Sequence, residues 1–203
     1  MLARRIERLT SSLVRDILAL AQRPGVISFA GGLPASEALL QLDLNTLSPS
    51  LLASAMQYGP TEGERDLREH VAQRMAAIGF QCRAEQVLIL NGSQQGIDLV
   101  SKLMIDEGTK VLVEEPAYLA ALQSFRLFGA TLHSVPLQDA LDLAAMRAAL
   151  ADVQLAYLTP TFQNPSGYCY THAERLAVAQ LVDTHGVCIF EDDPYRELAY
   201  DTP

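Results

Sequence analysis

The feature that most narrows what this chain can fold into is an alternation. From residue 86 onward, short apolar runs of strand length take turns with longer stretches of helical periodicity. We read strands at 86–90 (containing VLIL), 110–114 (KVLVE), 130–135, 154–159 (containing LAYL) and 187–191, with helices at 93–106, 117–128, 142–150 and 171–185 between them. Strands joined through helices in this way build an α/β fold, mainly a parallel sheet flanked by helices. Upstream, Leu13, Ile17 and Leu20 recur at helical spacing behind the candidate caps Ser11 and Ser12, and Pro24-Gly25 ends that helix. A further helix is expected over 63–78, where Leu67, Val71, Met75 and Ile78 form one apolar stripe and Gly79 supplies the stop. The chain divides on this reading into an N-terminal arm with its helix, 1–45, and a larger domain, 46–203.

In such sheets ligands sit beyond the carboxyl ends of the strands, so the informative residues are those that follow each strand. Those positions hold NGSQQG, EEPAY, TPTFQNPSG and EDDPY. The chain thus places its most polar segments where a parallel sheet opens into a crevice. The three consecutive carboxylates Glu191, Asp192 and Asp193 fall at the mouth of that crevice, not in the core.

Charge removes one class of partner. Asp and Glu outnumber Lys and Arg by 24 to 15, a net charge of −9, and the basic residues form no stripe, so a phosphate-backbone partner such as nucleic acid is not expected. No apolar run reaches the roughly 18 residues of a membrane span, and the Arg-rich start MLARRIER lacks the features of a signal peptide. No membrane partner is expected, and the default location is cytoplasmic. Cys82, Cys169 and Cys188 are odd in number and without C-x-x-C spacing, so they read as reduced thiols, not as a disulfide frame or a metal site.

Each strand exit carries at least one candidate. LNGSQQG leads a strand into a helix through small and hydroxyl residues, leaving amides near Ser93 and Gln94 where an anion such as phosphate is favoured; a plain cap at Ser93, with Gly92 easing the turn, is the alternative. EEPAY places Tyr118 past a strand end, where its ring can cover a flat ligand or simply line the rim. In QNPSG, Asn164 precedes Pro165 and is biased toward extended backbone, while Gly167 permits a reversal, so Asn164 either points its amide into the crevice or belongs to an ordinary Asn-Pro turn. Asp192 and Tyr195 stand three apart at the last exit. A carboxylate there calls for a cationic partner, and a protonated heteroaromatic nitrogen is one; Glu191 and Asp193 read as a solvated acidic loop. Together these describe a socket for a flat, phosphorylated, nitrogen-containing cofactor, and pyridoxal 5'-phosphate fits it.

The motifs SSLVRDILALAQRPGVISFAGGLPA, MQYGPTEG, NGSQQGIDLV, VEEPAYLAALQSFRLFGA, LTPTFQNPSGY and FEDDPYREL occur in the order and spacing of one family. The chain resembles the N-terminal part of a fold-type I pyridoxal-phosphate-dependent aminotransferase, closest to the α-aminoadipate and kynurenine aminotransferase group. The resemblance implies transfer of an amino group between an amino acid and a 2-oxo acid. It implies that Ser93 and Gln94 bind the phosphate, Tyr118 stacks on the ring, Asp192 pairs with the ring nitrogen, and Asn164 and Tyr195 hold the phenolic oxygen. It further implies that Tyr58 reaches the phosphate of the neighbouring subunit of a homodimer, that Gly32 lies against the substrate, and that Ser12 and Arg15 contact its side chain, where a bidentate Arg suits a carboxylate; a solvated helix charge is the alternative for Arg15.

Such an enzyme also needs a Schiff-base lysine, and this chain has two lysines only. Lys102 lies roughly 13 Å along its helix from the phosphate cradle, and Lys110 begins a strand at the edge opposite the crevice. In the resembling family the lysine falls beyond position 203. The chain is therefore expected to be an incomplete large domain, inactive alone. Two other readings stand beside it: a non-catalytic homologue that binds a ligand or partner, and the sensor domain of an aminotransferase-like transcription regulator, for which the short segment ahead of the first family helix leaves no DNA-binding domain.

Overall fold

The computed structural model describes residues 2–8, 17, 19–21, 23–29, 32, 34–41, 43–137 and 139–200. The chain separates into two compact units, one formed by Met1–Thr10 with Leu90–Pro203 and the other by Ser11–Ile89.

The larger unit is built on four parallel strands, β1 (Lys110–Glu115), β2 (Thr131–Pro136), β3 (Leu155–Leu158) and β4 (Cys188–Glu191), in the order β2-β1-β3-β4. Every residue of β3 is buried, as are the four central positions of β1, and all of these are apolar or aromatic except Glu114, which closes the buried run of β1. Val113 pairs with Tyr157, and Tyr157 pairs with Phe190, so one row of side chains crosses three strands.

Four helices cover this sheet: α1 (Ser93–Met104), α2 (Leu119–Phe128), α3 (Leu143–Leu150) and α4 (His172–His185). One face of the sheet, with Val111, Val113, Leu155 and Tyr157, packs against Ile97 of α1 and Ala121 and Phe125 of α2. The other face, with Leu112, Ala156 and Leu158, packs against Met146 and Leu150 of α3 and Val178, Leu181 and Val182 of α4. Each large apolar side chain among these, fully buried, contributes about 1.5–3 kcal/mol. The caps are written locally: the Asp142 carboxylate accepts the amides of Ala144 and Ala145, and Thr171 with Glu174 forms a capping box at the start of α4.

The strand order fixes where a ligand belongs. From β1 the chain moves outward to β2 through α2 on one face, then returns past β1 to β3 through α3 on the other. Successive connections of one hand can reverse direction only by changing face, and the reversal opens a crevice at the carboxyl ends of β1 and β3.

The second unit centres on the helix α5 (Arg65–Ala77), with a shorter helix, α6, at Pro49–Ala55. The Arg68 guanidinium ties this unit together by donating to the carbonyls of Gly63 and Ala84. Of the stripe expected on the 63–78 helix, Val71 and Met75 are half-buried, while Leu67 and Ile78 are exposed.

One expectation is corrected. Segment 86–90 is not a strand: Ala84–Gln86 forms a 3-10 turn, Val87 is extended, and the Ile89 amide donates to the Glu62 carbonyl. Its apolar residues satisfy a strand pattern, but a strand exists only where a neighbour completes the ladder, and none of the described residues does so. The expected helix at 13–20 lies largely outside the described residues, which include Ile17 and Leu20 but not Ser11, Ser12 or Leu13. No described helix is long and apolar enough to cross a membrane.

Candidate functional site

Three strand exits of the larger unit converge. At the end of β1, Glu114 is buried and Glu115 accepts a hydrogen bond from the Ser134 hydroxyl at 2.7 Å. The chain then passes through Pro116 and Ala117 to Tyr118, which caps α2 and is half-buried.

The exit of β3 is a tight polar loop. Gly167, at φ +73°, turns its amide back to the Gln163 carbonyl at 2.6 Å, and the Gln163 amide donates to the Tyr168 carbonyl. Phe162 holds φ +50°, a region costly for an aromatic residue and found where surrounding structure enforces it. Its neighbour Gln163 is tied down. This buried side chain donates to the Pro116 carbonyl at 2.6 Å and accepts from the amide and hydroxyl of Ser166 at 2.8 and 2.6 Å. The Glu114 carboxyl adds a second tie between the two exits, accepting from the Thr159 amide at 3.1 Å and the Tyr170 hydroxyl at 2.6 Å. Burial raises this carboxyl above its usual range, against the opposing effect of its hydrogen-bond donors.

At the exit of β4 the three adjacent carboxylates separate. Arg196 pairs with Asp193 and lies 3.7 Å from Glu191; Glu191 remains exposed, as the solvated loop expected from sequence requires, while Asp193 is half-buried and held by the guanidinium. Asp192 pairs with no cation among the described residues. Its Oδ2 accepts from the Tyr157 hydroxyl at 2.6 Å and its amide donates to the Leu158 carbonyl at 2.9 Å. Tyr157 is fully buried, its ring edge-on to both Phe125 and Phe190. Burial, then the neighbouring Asp192, holds its phenol far above the usual range, so it remains a donor.

The structure brings the candidates of these exits together. Asn164 donates to the Tyr195 hydroxyl at 3.4 Å, and the Tyr118 phenol is raised by burial and then by the nearby Asp192 and Tyr195. Ser93 and Gln94 open α1 as exposed residues, one turn before Ile97, which belongs to the same buried cluster as Tyr118 and Tyr157. Gly92, at φ +85°, occupies the cap position that the alternative reading gave to Ser93, and no side chain closes this helix end. The first amides of a helix have no intrahelical acceptor, so this end is suited to an anion.

Other candidates belong to the second unit or fall outside the described residues. Tyr58, fully exposed, and Gly32, at φ +50°, belong to the second unit, and Ser12 and Arg15 lie outside the described residues. Lys102 is paired with Asp98 within α1, and Lys110 is paired with Asp152 at the amino end of β1. Neither lysine stands at the strand exits.

Sequence reasoning missed Tyr157, Thr159 and Gln163. Thr159 is 2% exposed and its hydroxyl oxygen has no hydrogen-bond partner among the described residues, an unusual state for a buried polar atom beside a crevice. The available signal was the hydroxyl-bearing tyrosine inside LAYL, which shares a sheet face with Phe190 and, two residues on, Asp192. A flat ligand with an anionic arm and a basic ring nitrogen fits what is present: free amides at a helix start, a carboxylate lacking a cation, a tyrosine ring and an unpartnered hydroxyl.

A profile described as aminotransferase class I and II matches residues 48–203. The 2-aminoadipate transaminase of Thermus thermophilus is 41% identical over 200 residues, covering 95% of this chain and 49% of that protein. The crystal structure of LysN, the α-aminoadipate aminotransferase of Thermus thermophilus in complex with N-(5'-phosphopyridoxyl)-L-leucine, aligns with a TM-score of 0.79 at 37% identity, covering all of this chain and 51% of that one. A more distant relative, the uncharacterized HTH-type transcriptional regulator YdcR of Escherichia coli, is 27% identical over 198 residues, 94% of this chain and 42% of that protein. The chain spans about half the length of the curated relatives it matches.

Proposed function

This chain belongs to the class I and II aminotransferase family, and from that premise we propose that it forms the cofactor-holding part of an enzyme that moves an amino group between an amino acid and a 2-oxo acid. The family's cofactor is pyridoxal 5'-phosphate. When bound, it supplies an electron sink for the pair left behind as the substrate loses its α-proton.

The observation that carries the reading is Asp192. Of three adjacent carboxylates it alone lacks a cation among the described residues, and it is fixed by Tyr157 beside Tyr118 and Tyr195. We assign it to the protonated ring nitrogen. Ser93 and Gln94 hold the phosphate at the start of α1, Tyr118 covers the ring, and Asn164 and Tyr195 hold the phenolic oxygen. Gly32, Ser12 and Arg15 face the substrate, with Arg15 suited to a side-chain carboxylate. Tyr58, exposed in this chain, reaches the phosphate site of a second copy in a homodimer.

Proton transfer needs an amine that these residues do not supply. Lys102 and Lys110 are both paired with aspartates away from the strand exits, so residues 1–203 bind and orient the cofactor while the shuttling lysine comes from outside them. A second reading is supported by the similarity to YdcR: the same socket serving as a sensor. One experiment separates the two. The full-length protein is mixed with pyridoxal 5'-phosphate, and visible absorbance is followed as amino acids are added. Transamination predicts bleaching by at least one amino acid and release of its 2-oxo acid; absorbance that survives every amino acid tried refutes the transfer reading.

A further inference from the structure

The hydrogen bond between Tyr157 and Asp192 joins a residue within β3 to one beyond the end of β4, 35 residues later in the sequence. Tyr157 has no freedom to serve another purpose. Its ring is fully buried between Phe125 and Phe190, with centroids at 5.4 and 5.6 Å and both contacts edge-on, so its hydroxyl is aimed by packing before any ligand arrives. Asp192 is anchored at its backbone by the bond to Leu158, and Oδ2 is taken by the tyrosine. Oδ1 receives no hydrogen bond from any described residue. A carboxylate pinned through one oxygen presents the other in a single direction. An unpinned one samples rotamers, and some of them turn it away from a ligand.

We propose that Tyr157 is a positioning residue that holds Asp192 so that Oδ1 meets the ring nitrogen of the bound cofactor. The proposal rests on the cofactor reading above and deepens it. It makes recognition of the ring nitrogen a property of two residues, only one of which touches the ligand. A buried phenol donating to a carboxylate is a charge-assisted bond, stronger and more directional than a neutral one, which suits it to orientation.

The test compares two probes in the full-length protein: pyridoxamine 5'-phosphate, which needs no lysine to bind, and its 1-deaza analogue, in which a C–H replaces the ring nitrogen. The wild type is expected to prefer the nitrogen-containing probe by about tenfold or more, the worth of one hydrogen bond to a charged group. Tyr157→Phe keeps the ring packing and removes only the hydroxyl. It is expected to lower that preference several-fold while leaving affinity for the deaza analogue unchanged. An unchanged preference, whether or not both affinities fall together, overturns the proposal and leaves Tyr157 a packing residue. Should Tyr157→Phe fail to fold, replacing Tyr157 with 3-fluorotyrosine keeps the hydroxyl and alters its donor strength; a preference identical to wild type then overturns the proposal. Asp192→Asn separates the two levels. If it retains the wild-type preference, or if the wild type binds neither probe, the cofactor reading fails and this inference with it. If Asp192→Asn loses the preference and Tyr157→Phe does not, only this inference fails.

Discussion

The Glu114 carboxyl and the Tyr170 hydroxyl meet at 2.6 Å, 56 residues apart, both buried beneath the loop that carries Gln163 and Asn164. With the Thr159 amide on its other oxygen, Glu114 fastens the exit of β3 to the exit of β1. The site's rim is therefore set from below, by groups no ligand touches.

Removing that carboxyl leaves two buried donors without acceptors. Glu114→Ala is expected to cost ~2–4 kcal/mol, read as a lower midpoint in urea with an unchanged slope. A variant as stable as wild type would show that the two ties are dispensable.

Burial raises the Glu114 carboxyl above its ordinary value of 4.5. A raised carboxyl binds its proton more tightly in the folded state, so its contribution is full below about pH 4.5 and is lost as pH climbs through the folded value. The stability of Glu114→Gln relative to wild type is therefore expected to improve from pH 4.5 toward neutrality. Melting temperatures of both proteins across that range decide it, and parallel curves contradict the assignment.

Glu174 behaves oppositely. Burial acts to raise it, but hydrogen bonds from Tyr168, from the hydroxyl and amide of Thr171, and from the Leu141 amide outweigh burial and lower it. A lowered carboxyl stabilises above its ordinary value of 4.5 and loses that contribution as pH falls through the folded value. Thr171→Ala removes the capping hydroxyl and is expected to cost about 1 kcal/mol at pH 7, with the difference from wild type shrinking as the solution is acidified below pH 4.5.

Gln163 is the other fastener. Gln163→Ala frees the Pro116 carbonyl and both Ser166 donors. The expected result is a stability loss of ~1–3 kcal/mol together with weaker pyridoxamine 5'-phosphate binding in the full-length protein. Binding at wild-type affinity would show that the loop holds its shape without the glutamine.

Asp192→Asn keeps an acceptor for Tyr157, so the fold should survive with a melting temperature close to wild type. Turnover in the full-length protein is expected to fall by about 10²-fold or more, the scale of losing one preorganised electrostatic partner. Near-normal turnover would remove Asp192 from the site.

Much of this was legible in the linear string. The strand and helix periods of residues 110–191 placed four strands and three of the four helices between them, the period of 93–106 placed the fourth, and the polar exits marked where Tyr118, Asn164, Asp192 and Tyr195 would gather. Segment 86–90 misled because four apolar residues satisfy a strand pattern whether or not a neighbour pairs with them. Asp193 misled because its partner, Arg196, lies downstream, where only a turn brings it back.

What the sequence by itself determined was local: the period of each element, its caps, and the order in which polar segments follow apolar ones. Those depend on contacts a few residues long. Only the tertiary structure decided which hydroxyl reaches which carboxylate, Tyr157 to Asp192 and Tyr170 to Glu114. Such pairs arise from the strand order and from which face each residue lands on, and parallel pairing joins positions dozens of residues apart that no local pattern encodes.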